Sequence, residues 1–361
     1  MKKTVVSRLV ILVMVLAILT LSACGPAATT AAPTPTNPPA PANTALPPTA
    51  TPLPPMTCTK MANPPTVAAG AAGSSDKPLV IAFVPSGDTG KITTAGTAIA
   101  DCLSQMTGLS FQIVVGTSFA ATIEAMGADK AQVGFLNTFS VLLAEQKYGI
   151  IPVLGNLRKY ATNAVDPDKT LGGQMEPFYK AEFITKADSG IKTLADLKGK
   201  SFCFVDPNST SGYIVPRIIF KANGIDPDKD FSATTNAGSH PNVAIAVYKG
   251  DCDAGVAYID ILTDASANLK ATYPDIATKL VAFLVSDKIP NDGVQVTKTL
   301  DPTIKDAVVT GLLAMAKDPG GAAQLKALYN IAGFMKIDAT FYDDFANILK
   351  KAGVDPATLV K

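Results

Sequence analysis

Leu79-Val80-Ile81-Ala82-Phe83-Val84, together with the amphipathic stretch from about Thr94 to Met106, reads as a β-strand leading into a helix. Six consecutive apolar residues bounded by Pro85-Ser86-Gly87 suit a strand buried on both faces, since a strand with one wet face alternates polar and apolar positions. The unit repeats as Phe111 to Val115 followed by Phe119 to Met126, and as Val133-Gly134-Phe135 followed by Thr138 to Tyr148. Three successive units predict a parallel sheet with helices on both faces.

A second series begins after the turn-rich stretch from Asp166 to Gly173, with a strand from Phe178 to Thr185. Ser201 to Val205 leads into a helix from about Ser211 to Asn223, Ser232 to Thr235 into a helix from Asn242 to Lys249, and a strand from Cys252 to Ala257 follows. From Thr303 to Leu359 the pattern is helical, broken at Asp318-Pro319-Gly320 and Lys336-Ile337-Asp338, and these helices are expected to pack back on the first lobe. The expected class is therefore α/β, with two lobes and a ligand cleft between them: 77–175 plus 288–361 as lobe 1 and 176–287 as lobe 2. In open α/β sheets ligands sit beyond the carboxyl ends of strands. That directs attention to Pro85 to Lys91, Asn137 to Ser140, Asp206 to Gly212, Gly238 to His240 and Tyr258 to Asp260.

The amino-terminal residues carry a different message. Lys2, Lys3 and Arg8 precede an apolar run from Leu9 to Leu19, the charge pattern of a signal peptide. The run stops at Leu21-Ser22-Ala23-Cys24, which resembles a bacterial lipobox. By that resemblance residues 1–23 are removed and Cys24 becomes a lipid-modified amino terminus, acyl chains anchoring with about 0.8 kcal/mol per buried CH2. An ordinary secretory signal is the alternative. From Cys24 to Asp76 the chain is dominated by Pro, Ala and Thr, a composition of extended spacers and not of cores.

Of 361 residues, roughly 285 remain beyond that spacer, enough for two lobes. Lys and Arg total 31 against 30 Asp and Glu, a net charge of +1, and no basic run occurs. Nucleic-acid binding needs clustered cations and is not expected. With no second apolar stretch of spanning length, membrane contact is expected through the lipid alone. A single histidine and no CxxC argue against a metal, and no cofactor is expected. Besides Cys24 there are four cysteines in an exported chain. Cys203 and Cys252 fall in strands of one lobe and are paired here, which leaves Cys58 with Cys102; four free buried thiols are the other possibility.

The stretch Val205-Asp206-Pro207-Asn208-Ser209-Thr210-Ser211-Gly212-Tyr213 places three hydroxyls between a strand end and a helix start. The first N–H groups of a helix lack internal partners, and its dipole contributes about 0.3 to 1 kcal/mol toward a nearby anion. Ser209, Thr210 and Ser211 together exceed what one helix cap requires and suit a tetrahedral oxyanion. Gly238-Ser239-His240 stands at a similar junction, and His240 is placed to donate to an anion, more strongly when protonated near pH 6.5.

These residues resemble the phosphate/phosphite/phosphonate-binding proteins of ABC importers over about Leu79 to Thr297. The matching phrases are Ser189-Gly190-Ile191 through Leu197-Lys198-Gly199-Lys200, then Asp206 to Tyr213, Gly238-Ser239-His240 and Asp253-Ala254-Gly255. The resemblance implies a type II periplasmic-binding fold, monomeric, that captures phosphonate, phosphite or phosphate by hinge closure, delivers it to permease subunits and performs no chemistry. It implies that Ser209, Thr210, Ser211 and His240 grip the oxyanion and that Asp260 and Asp292 face its substituent. The family often has a tyrosine in the loop that here reads Phe135-Leu136-Asn137-Thr138-Phe139-Ser140-Val141, and none occurs. Asn137, Thr138 and Ser140 make that wall polar, Phe119 is expected to supply the apolar contact, and Ser86 an anion contact from the first lobe. Carboxylates beside a dianion repel it in a dry cleft, so either the ligand carries an ammonium group or a carboxylate accepts from a P–OH.

Two rivals remain. The same fold serves sulfonates, thiamin precursors and sensors. Asp88-Thr89-Gly90 and Asp188-Ser189-Gly190 resemble the triplets of aspartic proteases, but those stand in all-β lobes and these fall in an α/β pattern.

Overall fold

The computed structural model describes residues 53–354. The signal segment and Cys24 lie outside the described residues. Two sheets carry the architecture. In the first, the strands run Phe111–Val115, Leu79–Phe83, Val133–Leu136, Gly293–Val296, Ile151–Lys159 and Gly333–Lys336, with Met175–Glu176 paired to Ile151–Lys159. Leu79–Phe83 is parallel to both of its neighbours and buried on both faces, as an uninterrupted apolar strand must be.

In the second sheet the order is Leu280–Val285, Ala181–Lys186, Ala254–Tyr258, Ser201–Phe204 and Ala233–Asn236. The two sheets share one plan. With the antiparallel strand that has crossed from the other lobe set aside, the first three strands of each sheet in sequence are parallel, the first of them lies between the second and the third, and the crossed strand separates the third from the fourth. Gly293–Val296 plays that part in the first lobe and Ala181–Lys186 in the second. This is the two-lobed fold expected from the alternation of apolar runs and helices.

The crossing segments pair with each other as Phe178–Tyr179 against Ile289–Pro290. Asn291 ties them further: its N–H donates to Pro177 O at 2.8 Å, and its side-chain amide donates to Asn156 O at 3.0 Å and Glu176 O at 2.9 Å. The expected single strand from Phe178 to Thr185 is therefore two, one in the crossover and one in the second sheet.

Helix boundaries follow local caps. The first helix runs Thr89–Thr107 and begins earlier than its apolar periodicity, because the Asp88 carboxylate accepts the Lys91 N–H at 2.8 Å. The carboxyl-terminal region departs from its helical reading in one place. Pro302–Met315 and Pro319–Tyr329 are helices separated near Asp318 as expected, but Gly333–Lys336 is a strand on the edge of the first sheet. Four residues are too short for their pattern to separate strand from helix, and pairing with Ile151–Lys159 decides it.

The Pro/Ala/Thr-rich stretch departs from an extended spacer in its last part. Met56, Cys58, Val67 and Ala72 pack on the first lobe, Met61 N–H donates to Met106 O at 2.8 Å, and Cys58 is bonded to Cys102 on the first helix. A covalent staple removes the entropy that otherwise keeps such a sequence unfolded. The second disulfide, Cys203–Cys252, ties the strand Ser201–Phe204 to the residues just before its neighbour Ala254–Tyr258 in the second sheet. Among the described residues no helix is long and apolar enough to cross a membrane.

Candidate ligand-binding site

The carboxyl ends of the strands from both sheets converge on a cavity between the lobes. The cavity is small, about 30 Å³ in volume.

The hydroxyl triplet forms its second-lobe wall. After Ser201–Phe204 the chain turns at Asp206, whose carboxylate accepts the Asn208 N–H at 2.8 Å, and enters a wide π-helical turn, Thr210–Ile214, before the α-helix Val215–Ala222. Such turns concentrate at functional sites because they open the spacing of backbone groups. A side chain at Gly212 would place its Cβ 2.3 Å from Val205, so only glycine lets the turn sit on the strand. Ser209, Thr210 and Ser211 are each about 1% exposed.

The oxygens of Ser209 and Thr210 are already occupied as acceptors. Ser209 Oγ accepts the Gly212 N–H at 3.2 Å and faces His240 Nε2 at 3.4 Å. Thr210 Oγ1 accepts from Asn137 Nδ2 and from Phe139 N, both at 2.9 Å. A hydroxyl oxygen has two lone pairs, so each of these groups keeps only its O–H to offer a ligand.

His240, the first residue of the helix His240–Lys249, differs from the expectation that it titrates near pH 6.5. Nδ1 accepts the Tyr258 N–H at 3.1 Å, which leaves the proton of the neutral ring on Nε2, directed at Ser209. Burial, aided by the Arg158 charge, pushes its pKa down to about 3. At neutral pH His240 is therefore an uncharged donor facing Ser209.

Of the residues singled out in sequence, Ser86, Phe119, Asn137, Ser209, Thr210, Ser211, His240 and Asp292 line the cavity. Thr138 and Asp260 do not. Thr138 Oγ1 donates to Pro290 O at 2.7 Å in the crossover. Asp260 has a left-handed backbone (φ 66°), and its carbonyl accepts from Thr263 and Asp264 in the loop it begins. The acid of that loop that does reach the cavity is Asp264, held by Tyr258 OH at 2.8 Å and by Ser266 Oγ at 2.5 Å. Asp88 serves as a helix cap and Asp188 is an exposed turn residue, so the two triplets that resemble protease signatures do not meet in this cavity.

Sequence reasoning missed the cavity's one arginine. Arg158, near the end of Ile151–Lys159, pairs its Nη2 with Asp292 Oδ2 at 3.1 Å, with the two side chains 14% and 19% exposed. Its guanidinium stands 5.3 Å from the centre of the Tyr179 ring. The signal was an arginine following the mostly apolar stretch Ile151 to Leu157, which Asn156 interrupts. The Phe135 to Val141 loop holds no tyrosine, and tyrosine instead reaches the cavity as Tyr179, Tyr258 and Tyr329. Tyr179 comes from the crossover and Tyr329 from the end of the helix Pro319–Tyr329, where it donates to Val84 O at 2.6 Å.

The lobes touch directly. Asn137 Nδ2 donates to Asn208 O at 2.9 Å, His240 N to Ser86 O at 3.2 Å, and Lys91 Nζ to Ala265 O at 2.6 Å. The cleft is closed around a small cavity walled by O–H donors, which defines a two-lobed binding protein of the type II periplasmic class.

Comparison with known proteins makes this specific. Residues 81–342 match the family of periplasmic substrate-binding proteins of phosphonate ABC transporters, and the chain belongs to that family. It is 29% identical over 214 residues to the phosphate-import protein PhnD of Mycolicibacterium smegmatis, a match covering 54% of this chain and 63% of the relative. To the phosphonates-binding periplasmic protein of Escherichia coli it is 27% identical over 229 residues, covering 61% of each. The matches thus span a little over three fifths of each relative's length. PhnD1 of Prochlorococcus marinus, solved in complex with methylphosphonate, superposes with a TM-score of 0.62 at 17% identity, covering 76% of this chain and 98% of that one.

Proposed function

We propose that this chain is the substrate-binding subunit of an ABC importer, and that it captures phosphonate, phosphite or phosphate by hinge closure and hands it to the permease. The observation that carries the reading is the state of Ser209 and Thr210, whose oxygens are filled by protein donors. Hydroxyls turned into pure donors, beside Arg158 and a π-helical amino terminus, fit a small anion and offer little to a neutral ligand. The names of the M. smegmatis and E. coli relatives and the methylphosphonate in the P. marinus complex support phosphorus over sulfur. In this reading the protein does no chemistry and acts as a monomer, and a lipid on Cys24 holds it at the extracytoplasmic face of the bacterial membrane.

Closure is the working step. Ligand bridging the lobes shifts the population toward the closed form, which the permease recognises. Calorimetric titration with phosphate, phosphite, methylphosphonate and methanesulfonate tests the reading, with small-angle scattering on the same samples. The expected result is tight binding of at least one phosphorus anion, accompanied by contraction. Preference for methanesulfonate, or saturation without any change in scattering, would count against it.

A further inference from the structure

Three charged side chains line the cavity beside the neutral His240: Arg158, Asp264 and Asp292. Asp264 is spent on local donors, since Oδ2 accepts from Tyr258 OH and Ser266 Oγ while Oδ1 accepts the Ser266 N–H at 2.9 Å. Asp292 is half-used. Its Oδ2 is paired with Arg158 Nη2, while its Oδ1 is buried with no well-formed hydrogen bond among the described residues, although the Thr138 N–H lies near the carboxylate. Arg158 is in the same position, with Nη2 engaged and Nε buried and unpartnered. Buried polar atoms are nearly always satisfied. The ion pair at the cavity wall thus keeps one donor and one acceptor that no described residue satisfies with a well-formed hydrogen bond.

We infer that Arg158 is a specificity-determining residue: it occupies the cationic position opposite Asp292, so that the protein selects phosphorus oxyanions without a cationic substituent. Arg158 Nε–H donates to an anionic oxygen of the ligand. Asp292 Oδ1 accepts from the acid hydroxyl of a monoprotonated one. A ligand ammonium at this point meets the guanidinium before the carboxylate, and like charges in a desolvated cleft repel strongly. The inference deepens the proposed function and rests on it.

The test is a calorimetric comparison of methylphosphonate with 2-aminoethylphosphonate, together with phosphate and phosphite, on the wild-type protein and two variants. The wild type is expected to bind at least one unaminated anion and to disfavour the aminated one by tenfold or more. In Arg158→Gln, Asp292 loses its cation, and the ratio of affinities is expected to move at least tenfold toward the aminated ligand. Asp292→Asn removes the acceptor instead and is expected to leave the aminated ligand disfavoured. It serves as the second variant if Arg158→Gln does not fold. Binding of none of the four ligands overturns this inference and the function it rests on. Wild-type preference for the aminated ligand, or an affinity ratio that Arg158→Gln leaves unmoved, overturns the specificity inference alone.

Discussion

Thr210 Oγ1, in the second lobe, caps a helix of the first: it accepts the Phe139 N–H at 2.9 Å, at the amino terminus of Thr138–Tyr148. Asn137, at that helix's own cap position, makes no side-chain cap and donates its Nδ2 to the same threonine oxygen at 2.9 Å. Closure therefore satisfies backbone and side-chain donors that an open cleft leaves to water. Thr210→Ala should weaken ligand binding by about 1 to 3 kcal/mol, the scale of a hydrogen bond to a charged group. It should also open the ligand-free protein in small-angle scattering, and Thr210→Ser should restore both. Unchanged affinity in Thr210→Ala would remove the hydroxyl triplet from the site.

His240 gives a pH signature. Its folded pKa is pushed down to about 3 from an ordinary value near 6.5, so below pH 6.5 the unfolded chain binds a proton that the folded one refuses. The stability this contributes is whole above pH 6.5 and is lost as pH falls toward 3, by at most about 1.4 kcal/mol per pH unit. Urea denaturation of the wild type and His240→Asn, compared across that range, should show the variant losing less stability on acidification. Parallel curves would mean that His240 takes up its proton equally in the folded and unfolded chains.

Glu182 acts with the opposite sign. It is 2% exposed, Oε2 accepts from Asn163 Nδ2 at 2.7 Å, and Oε1 has no well-formed hydrogen bond among the described residues, although the backbone N–H groups of Asp260 and Ile261 lie near the carboxyl. Burial raises its pKa to about 7 from 4.5, so the folded protein holds a proton that the unfolded chain has released. That contribution is whole below pH 4.5 and is lost as pH rises through 7. Glu182→Gln keeps the shape and removes the charge, and it should stabilise the protein by about 1 to 3 kcal/mol at pH 8 with little effect at pH 5. Equal denaturation midpoints at both pH values would show that the carboxyl is not strained.

The disulfides close 44 and 49 residues of chain, Cys58–Cys102 in the first lobe and Cys203–Cys252 in the second. The chain-entropy account gives about 4 kcal/mol for each loop of this size. Cys58→Ala/Cys102→Ala should lower the denaturation midpoint and expose residues 53–73 to protease while leaving ligand affinity unchanged. Protease resistance equal to the wild type would mean that the packing of Met56, Met61 and Val67 holds this segment without the staple.

Much of the fold was legible because its signals are local. Phe111–Val115 and Thr138–Tyr148 begin and end where their apolar periods do. Strands that belong to the sheets only through partners far along the chain were not legible: Gly293–Val296 is held by Val133–Leu136 and Ile151–Lys159. The site divides in the same way. Ser209 to Ser211 and His240 were visible because a helix start after a strand is a local pattern. Arg158 and Asp264 were not, since an arginine near a strand end and an acid in a loop are ordinary until the other lobe covers them.

The order of residues alone determined the alternation of strand and helix, the cysteines available for pairing and the hydroxyls at a helix amino terminus. Each depends on backbone preference or spacing within a short stretch. Tertiary structure decided what those groups are chemically. It closed Thr210 onto Asn137 and Phe139, held His240 neutral through the Tyr258 N–H, and set Arg158 against Asp292. Protonation and hydrogen-bond capacity depend on desolvation and on partners tens to hundreds of residues away, and only the closed fold brings these together.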